Sequence, residues 1–429
     1  MTQTQPKPHV LLVSGKDPEE DSGGHGAYVR VWGRALLAAG FSPEIFAVSH
    51  QQGVMERPFG RLHRVQSPFW RRGNQHRSGF RGYTIAWHGG LLTRAAAAHA
   101  QRLDPSRRVV VQGFHIWTVV GARVVRMLRA QGREATLFMS MFTTTSHEMK
   151  VRWQGVWRVP GWTPKISMAW EMINYHAFMK RSERAACRSA DRILVNYESV
   201  RRLVTEAWAP RCPIERVPYT TESALIEDGG PVPLPNGMPL VLAVSRHDSR
   251  KGLDTLLRAF VVLKRNGVAF RARLIGGGSL LPVHRRLAAE LELNDLVEIT
   301  GYVEDTRPHW EAASVFVLPS HEEGSGSLSL LEALQRGRAV VASNIDGIPE
   351  DVEDGRSGLL VPPKKPEALA AALRRVIEDG ALRRSLARGA RERFEQQFAP
   401  SFLVKAVADL YGAPPTSPQA AAPLAAGCG

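Results

Sequence analysis

The sequence predicts an α/β protein built of two Rossmann-like domains, and three observations carry that expectation. The chain has 429 residues, more than one hydrophobic core ordinarily organises. Both halves alternate short apolar runs rich in Val, Ile and Leu with stretches of helical periodicity, the pattern of βα units around a parallel sheet. Between the halves, Asp228 to Met238 reads DGGPVPLPNGM, and its Gly and Pro content interrupts both patterns. The expected organisation is a first domain over residues 1–230, a linker over 231–238, a second domain over 239–395, a terminal helix over 396–413 and a disordered tail over 414–429.

Composition narrows the class. With 44% hydrophobic and 23% charged residues the chain reads as soluble and globular. No apolar run approaches the roughly 18 residues of a spanning helix, and the opening MTQTQPKPHV lacks the apolar centre of a signal peptide, so a cytoplasmic protein is expected. Cys187, Cys212 and Cys428 match no zinc or redox spacing. The net charge of +15 is unevenly placed, because residues 1–210 carry 30 basic and 14 acidic side chains while the remainder nearly balances. Nine of the ten tryptophans also precede Ala209, so whatever the charge attracts meets an aromatic surface or core in the first half.

In chain order, His9 to Ser14 reads as a strand, a polar loop leads to Gly23-Gly24-His25-Gly26, and Ala27 to Ala39 has helical spacing with Gly40 as its stop. Phe41 to Val48 returns as a strand and completes a βαβ opening. As a dinucleotide fingerprint it is poor, since Val29 stands where a third glycine or an alanine is needed. Arg57 to Arg81 then holds seven arginines among Phe59, Phe69, Trp70 and Phe80. Lys150 to Arg184 likewise interleaves Trp153, Trp157, Trp162 and Trp170 with basic residues. Such mixtures suit a membrane interface or an anionic acceptor, and equally a solvated basic face over a tryptophan-containing core. Single-stranded nucleic acid accepts them too, but no recognition motif accompanies the charge and nucleic acid is not expected. Arg108 to Val111 is a strand leading to Gln112-Gly113-Phe114-His115, and Ala135 to Met139 is another leading to Ser140-Met141-Phe142-Thr143.

The second half opens with a strand, Leu240 to Val244, that empties into SRHDSRKG before a helix with Leu253, Leu256, Leu257 and Phe260 on one side. Arg246 offers a planar fork and Lys251 a compact charge, a sensible pair for a diphosphate. Ala272 to Ile275 runs into Gly276-Gly277-Gly278, and Val297 to Val303 is a further strand. Ser314 to Leu318 is a buried strand stopped by Pro319, which delivers the loop His321 to Gly326 to the C-terminal edge of the sheet. Ser325 or Ser327 can cap the next helix, whose Leu328, Leu331 and Leu334 share a face; Gly337 ends it and Arg338 to Ser343 is the next strand. A glycine-rich loop that opens a helix presents backbone N–H groups to an anion, and ligands of open α/β sheets settle at this edge. Glu323 and Glu332 flank it, carboxylates suited to holding hydroxyls.

Within residues 323–350, Glu-Gly-x-Gly, Leu-Leu-Glu-Ala-Leu, Val-Val-Ala-Ser and Gly-Ile-Pro-Glu follow one another. That succession resembles the donor-site signature of the family-4 retaining glycosyltransferases, the glycosyl transferases group 1, whose fold is GT-B: two Rossmann-like domains facing a central cleft. The resemblance covers Leu240 to Tyr411 well and the first half in outline. It implies that Glu323 contacts the transferred sugar, that Glu332 holds the ribose hydroxyls, and that Arg246 and Lys251, in the family's Arg-x4-Lys-Gly spacing, hold the diphosphate. It further places Gly277, Gly324, Ser325 and Gly326 on the donor and Gly23 and Gly24 on the acceptor side of the cleft. Three departures stand out. Eight residues rather than seven separate Glu323 from Glu332; Phe142 stands where many relatives have a cleft histidine, leaving His115 and His147 as candidates; and Pro218 to Glu222 replaces the usual Asn-Gly-Val-Asp. Phe394 to Tyr411 is the expected helix crossing back to the first domain.

The function so implied is transfer of a sugar from a nucleotide-diphosphate sugar to a hydroxyl of a glycan or lipid-linked acceptor, with retention, in surface polysaccharide or glycolipid assembly. Expected partners are the nucleotide sugar, the acceptor, and a membrane surface touched by the basic, tryptophan-rich half, which places the protein at the inner face of the cell membrane. Catalysis rests on Arg246, Lys251 and loop N–H groups neutralising the leaving diphosphate, with Glu323 orienting the sugar. No Asp-x-Asp motif is present, so no metal or other cofactor is expected and activity should survive chelation. A nucleotide-sugar epimerase on the same fold, a phosphorylase, and a non-catalytic membrane- or glycan-binding module are the alternatives. An acceptor requirement separates the first from a transferase, a need for inorganic phosphate the second, and turnover the third.

Overall fold

The computed structural model describes residues 6–412 except 22, 72–74, 77–80, 158–160 and 227–229. The tail expected at 414–429, part of the arginine-rich stretch before Arg81 and the start of the Gly/Pro connection therefore lie outside the described residues.

The first half contains strands β1 (His9–Val13), β2 (Pro43–Ser49), β3 (Gly53–Arg57), β4 (Gly60–Gln66), β5 (Trp70–Arg71), β6 (Gln75–His76), β7 (Val109–Phe114), β8 (Ala135–Met141), β9 (Arg192–Val195) and β10 (Ile214–Arg216). Its helices are α1 (Gly24–Ala38), α2 (Arg81–Gln101), α3 (Thr118–Ala130), α4 (Thr145–Val156), α5 (Thr163–Asn174), α6 (Lys180–Ser189), α7 (Glu198–Trp208) and α8 (Glu222–Ile226). Eight strands form one sheet in the order β10-β9-β8-β7-β1-β2-β4-β3, parallel throughout apart from the β3–β4 hairpin. β5 and β6 form a small antiparallel pair of their own.

The second half contains β11 (Leu240–Val244), β12 (Arg271–Ile275), β13 (Val297–Gly301), β14 (Val315–Leu318), β15 (Ala339–Ser343) and β16 (Leu359–Val361). All six are parallel, in the order β13-β12-β11-β14-β15-β16. Around them lie α9 (Leu253–Arg265), α10 (Leu281–Glu290), α11 (Arg307–Ala312), α12 (Leu328–Gln335), α13 (Ile348–Asp351), α14 (Pro366–Glu378), α15 (Gly380–Gln397) and α16 (Pro400–Gly412). Strands buried on both faces explain the unbroken apolar runs: Val315 to Leu318 and Val340 to Ala342 are at most 1% exposed.

The strand order reverses between β1 and β7 in the first sheet and between β11 and β14 in the second. At such switch points the loops leaving two neighbouring strands diverge to opposite faces and open a crevice. Those loops carry Ser14 to Gly23 and His115 on one side, and Arg246 to Gly252 and His321 to Gly326 on the other.

Several boundaries differ from the sequence expectation. Helix α1 starts at Gly24 rather than Ala27, because Gly23 acts as an extended N-cap residue whose N–H is held by Asp21 Oδ1 at 3.0 Å. Strand β8 runs on to Met141 because β9 pairs with it as far as Met141 and Val195. The expected helix from Phe394 to Tyr411 is two helices, broken where Pro400 can open a helix but not continue one. The second of them, α16, packs on α1: Tyr411 is fully buried beside Trp32, Phe41 and Phe138, and the Arg108 guanidinium donates to its carbonyl.

Arg338, also fully buried, donates to the carbonyls of Ala313 at 2.8 Å and Val232 at 2.5 Å, tying the Pro-rich connection to the second sheet. One apolar cluster spans both halves, from Val29 and Trp32 of α1 through Tyr219 to Leu331 and Leu334 of α12.

Candidate active site

The loop after β11 turns at Gly252, whose φ is +61° and where a Cβ would lie 2.0 Å from the Pro319 carbonyl oxygen. Only glycine fits that close approach, and it brings Lys251 beside the loop that leaves β14. Lys251 Nζ lies 2.7 Å from both oxygens of Glu323, and the Ser320 hydroxyl donates to Glu323 Oε1 at 2.5 Å. The lysine and glutamate side chains are 14% and 6% exposed. Arg246, on the same turn, is 64% exposed and meets Asp248 at 3.3 Å, so its fork is open to solvent. The carbonyl of Arg250 accepts the N–H of His321 at 2.6 Å, locking the two loops together.

Asp346, in the turn after β15, has φ +49° and accepts the N–H groups of Glu323 at 2.6 Å and Gly324 at 2.8 Å. Two of the loop N–H groups expected to face an anion are thus held by a carboxylate of the chain itself. The positive end that remains is the start of α12, where Ser327 is the N-cap position and makes no side-chain cap bond. Glu332 sits one turn into this helix, and burial pushes its carboxyl above the ordinary range against the pull of Arg336. In the Gly276–Gly278 turn, a Cβ at Gly276 would lie 1.9 Å from the Ser245 carbonyl oxygen and one at Gly278 2.4 Å from that of His247. Gly277 is less crowded, its nearest neighbour being Tyr302.

The first half closes on this edge. A side chain at Gly24 would come within 3.8 Å of Leu328, so the start of α1 faces the start of α12. Gly23 is the N-cap residue, while Gly26 is the glycine that sterics require, since a Cβ there would lie 2.3 Å from the Asp21 carbonyl oxygen. His147, in the first turn of α4, lies against Gly324, where a Cβ would be 3.3 Å from its ring. His115 has φ +52°, and its ring meets Phe142 edge-on at 3.9 Å between centroids. Its Nε2 is buried with no hydrogen-bond partner among the described residues, and burial lowers the imidazole to about 4. His115 therefore packs on Phe142, while His147 lies against the glycine of the loop that leaves β14.

The two halves are pinned beyond the cleft as well. Glu350 accepts the N–H groups of Glu198 and Ser199 at 2.9 Å each, at the start of α7, and Tyr197 donates to Asp351 Oδ2 at 3.2 Å.

Residues 238–379 match the sequence model of the glycosyl transferases group 1. About a third of the chain is thus similar to that family. Among curated relatives, the lipopolysaccharide core biosynthesis glycosyltransferase LpsE of Rhizobium meliloti is 28% identical over 266 residues, covering 59% of this chain and 77% of LpsE. The amylovoran biosynthesis glycosyltransferase AmsK of Erwinia amylovora is 31% identical over 177 residues, 40% of this chain and 44% of AmsK. The chain spans about half the length of several of the curated relatives it matches. Among solved structures, sucrose-phosphate synthase from Thermosynechococcus elongatus superposes with a TM-score of 0.69 at 24% identity, over 95% of this chain and 98% of that one. The fold is GT-B.

Set against that glycosyl transferases group 1 frame, the structure brings Lys251, Glu323, Gly324, Ser325 and Gly326 to one edge, with Arg246 beside them and Glu332 a turn away. Four residues carry no sequence signal for the places they take. Asp346 holds the loop. Tyr197 lies where a Cβ at Gly326 would come 2.1 Å from its hydroxyl. Arg250 and Glu148 face each other across the cleft: burial acts to raise the Glu148 carboxyl, but Arg152 and Arg250 outweigh it and hold it below the ordinary value.

Among the described residues the cluster with metal-ligating side chains is Glu44, His63 and His99, under α2 and remote from the switch-point loops. There Glu44 Oε2 lies 2.5 Å from His63 Nε2, and Arg61 approaches its other oxygen at 3.3 Å.

Proposed function

We propose that the chain transfers a glycosyl group from a nucleotide-diphosphate sugar to a hydroxyl of a glycan or lipid-linked acceptor, in surface polysaccharide or glycolipid assembly. The observation that carries this reading is the Lys251–Glu323 pair at the β11/β14 switch point beside the start of α12. It sets a cation for a diphosphate and a carboxylate for sugar hydroxyls within 2.7 Å of each other. The biosynthetic names of LpsE and AmsK support the polysaccharide context.

In this reading Lys251 and the exposed Arg246 take up charge as the glycosidic C–O bond breaks, aided by the N–H groups at the start of α12. Glu323 orients the sugar, Glu332 holds the ribose, and Gly277 lies by the nucleotide. The acceptor enters past Gly23, Gly24, His115 and His147. Attack on the face the diphosphate leaves gives retention, with the departing phosphate assisting the acceptor proton. No metal takes part. The protein works in the cytoplasm against the inner face of the membrane; among the described residues no helix is long and apolar enough to cross one.

The test is release of nucleotide diphosphate coupled to growth of an added glycan or lipid-linked acceptor, run with EDTA. Transfer that persists in chelator and falls in Lys251→Ala supports the reading. Turnover abolished by EDTA and restored by magnesium or manganese contradicts its metal-free chemistry, and interconversion of the donor without acceptor replaces it with an epimerase. UDP-glucose is a rational first donor, because the structurally similar HepE of Anabaena is described in complex with UDP and glucose.

A further inference from the structure

Helix α5 is amphipathic the wrong way round for a helix facing water. Its inner side is fixed to the protein by Met168 and, just beyond its end, Tyr175, which pack with Met149 and Val156 of α4. Its outer side carries Ile166 and Ile173, 68% and 58% exposed, and Trp162 at its N-cap is 74% exposed. Steps of four and seven residues along a helix keep these side chains on one face. Trp157, at the end of α4, extends the patch and is 55% exposed. Apolar side chains of this size standing together at the surface mark an interaction site.

The charge around the patch says what it meets. From Lys150 to Arg188 the chain has eight Lys and Arg against two carboxylates. Neither carboxylate offsets the field outside: Glu171 pairs with Arg152 at 2.6 Å and Glu183 is fully buried. Lys150, Lys180, Arg181 and Arg184 are exposed, and Lys165 lies over the rings of Trp157 and Trp162 at 5.8 and 5.5 Å. A second copy of the chain would bring the same cations face to face, as any two-fold contact repeats one patch against itself. An anionic lipid surface instead pairs headgroup phosphates with the cations, while tryptophans take the boundary and isoleucines the acyl edge.

We propose that the patch formed by Trp157, Trp162, Ile166 and Ile173 docks the protein on an anionic bilayer. Helix α4 links that patch to the cleft, with His147 at its start against Gly324 and Gly155 near its end against Ser249 of the second half. Docked this way, the bilayer lies beside the cleft rim. The acceptor class is then a glycan carried on a lipid, a step that rests on the transferase reading; the docking itself rests on the surface alone.

The experiment is co-sedimentation of the full chain with vesicles of phosphatidylcholine, or of phosphatidylcholine and phosphatidylglycerol in equal parts, at low and raised salt. The chain is expected to sediment with the mixed vesicles and to be released by salt. The double variant I166S/I173S should lower the partition coefficient by about tenfold or more. Thermal unfolding and diphosphate binding should stay at wild-type values, because both side chains are exposed. Unchanged partition in the double variant, or equal binding to neutral vesicles, overturns the proposal; so does a wild-type dimer that the double variant dissolves while neither binds vesicles. Vesicle binding that follows the patch in a chain that binds no nucleotide diphosphate would leave the docking surface standing and remove the transferase reading.

Discussion

Lys251 and Glu323 form an ion pair, with Nζ 2.7 Å from both carboxylate oxygens. A diphosphate that takes Lys251 must therefore loosen this pair, whereas a sugar that takes Glu323 leaves the lysine to the phosphate. Glu323→Gln separates the two roles. It removes the competing charge, so a bare nucleotide diphosphate should bind roughly tenfold more tightly, the size of one charge-assisted hydrogen bond. Turnover should fall by about a hundredfold because the sugar loses its orienting carboxylate. Titration calorimetry and initial rates read both effects, and unchanged affinity together with unchanged rate would place the sugar elsewhere.

Arg246 and Lys251 should behave differently on truncation although both are assigned to the diphosphate. Arg246 is 64% exposed, so Arg246→Ala should leave stability within about 0.5 kcal/mol while weakening diphosphate binding. Lys251→Ala strands a carboxylate that is 6% exposed and should cost about 3 kcal/mol, part of it recovered when Glu323→Ala is added. Denaturant unfolding of the two single variants and the double variant measures this; equal costs for Arg246→Ala and Lys251→Ala would mean the buried pair contributes nothing.

Asp346 shapes the loop that leaves β14 by accepting the N–H groups of Glu323 and Gly324. Asp346→Ala leaves both without that acceptor, at a cost of about 1–3 kcal/mol, and frees the loop that carries Glu323. Asp346→Asn keeps an acceptor oxygen and a side chain that tolerates the left-handed turn, so it should be the milder change in both thermal midpoint and turnover. An alanine variant as active and as stable as the asparagine variant would show that the carboxylate does not set the loop.

Glu183 predicts a pH effect of definite sign. Burial pushes its carboxyl up to about 7, while it accepts the N–H and hydroxyl of Thr145 at 3.0 Å each and so steadies the start of α4. Its folded value lies above its unfolded one, so its contribution is fully present below the ordinary carboxylate range and is lost as pH rises through about 7. The swing across that window is roughly 3 kcal/mol. Glu183→Gln cannot titrate, so the wild-type stability relative to this variant should decline from pH 4 to pH 8 by that order. A flat difference would mean that Glu183 titrates normally.

The second half was legible in the sequence because its information is local. A four-residue apolar strand, a glycine-bearing loop and an eight-residue helix follow one another in β14 and α12, and each boundary is written in Pro319, Ser327 and Gly337. Arg246 and Lys251 were legible for the same reason, lying between one strand and the next helix. What escaped depends on the chain meeting itself at a distance. Asp346 reaches Gly324 only because β15 lies beside β14, and Tyr197 meets Asp351 across 154 residues. The place of His115 against Phe142 follows from a left-handed backbone at a non-glycine residue, which no local pattern announces. The early start of α1 turned on a single Asp21 hydrogen bond to the Gly23 N–H.

Calorimetry with UDP, GDP and ADP, with and without EDTA, tests the proposed donor site most directly. One of the three should bind equally well in chelator, and its binding should be lost in Lys251→Ala and strongly weakened in Arg246→Ala. No binding by any diphosphate, or binding that neither substitution alters, would contradict the site and with it the proposed transfer chemistry.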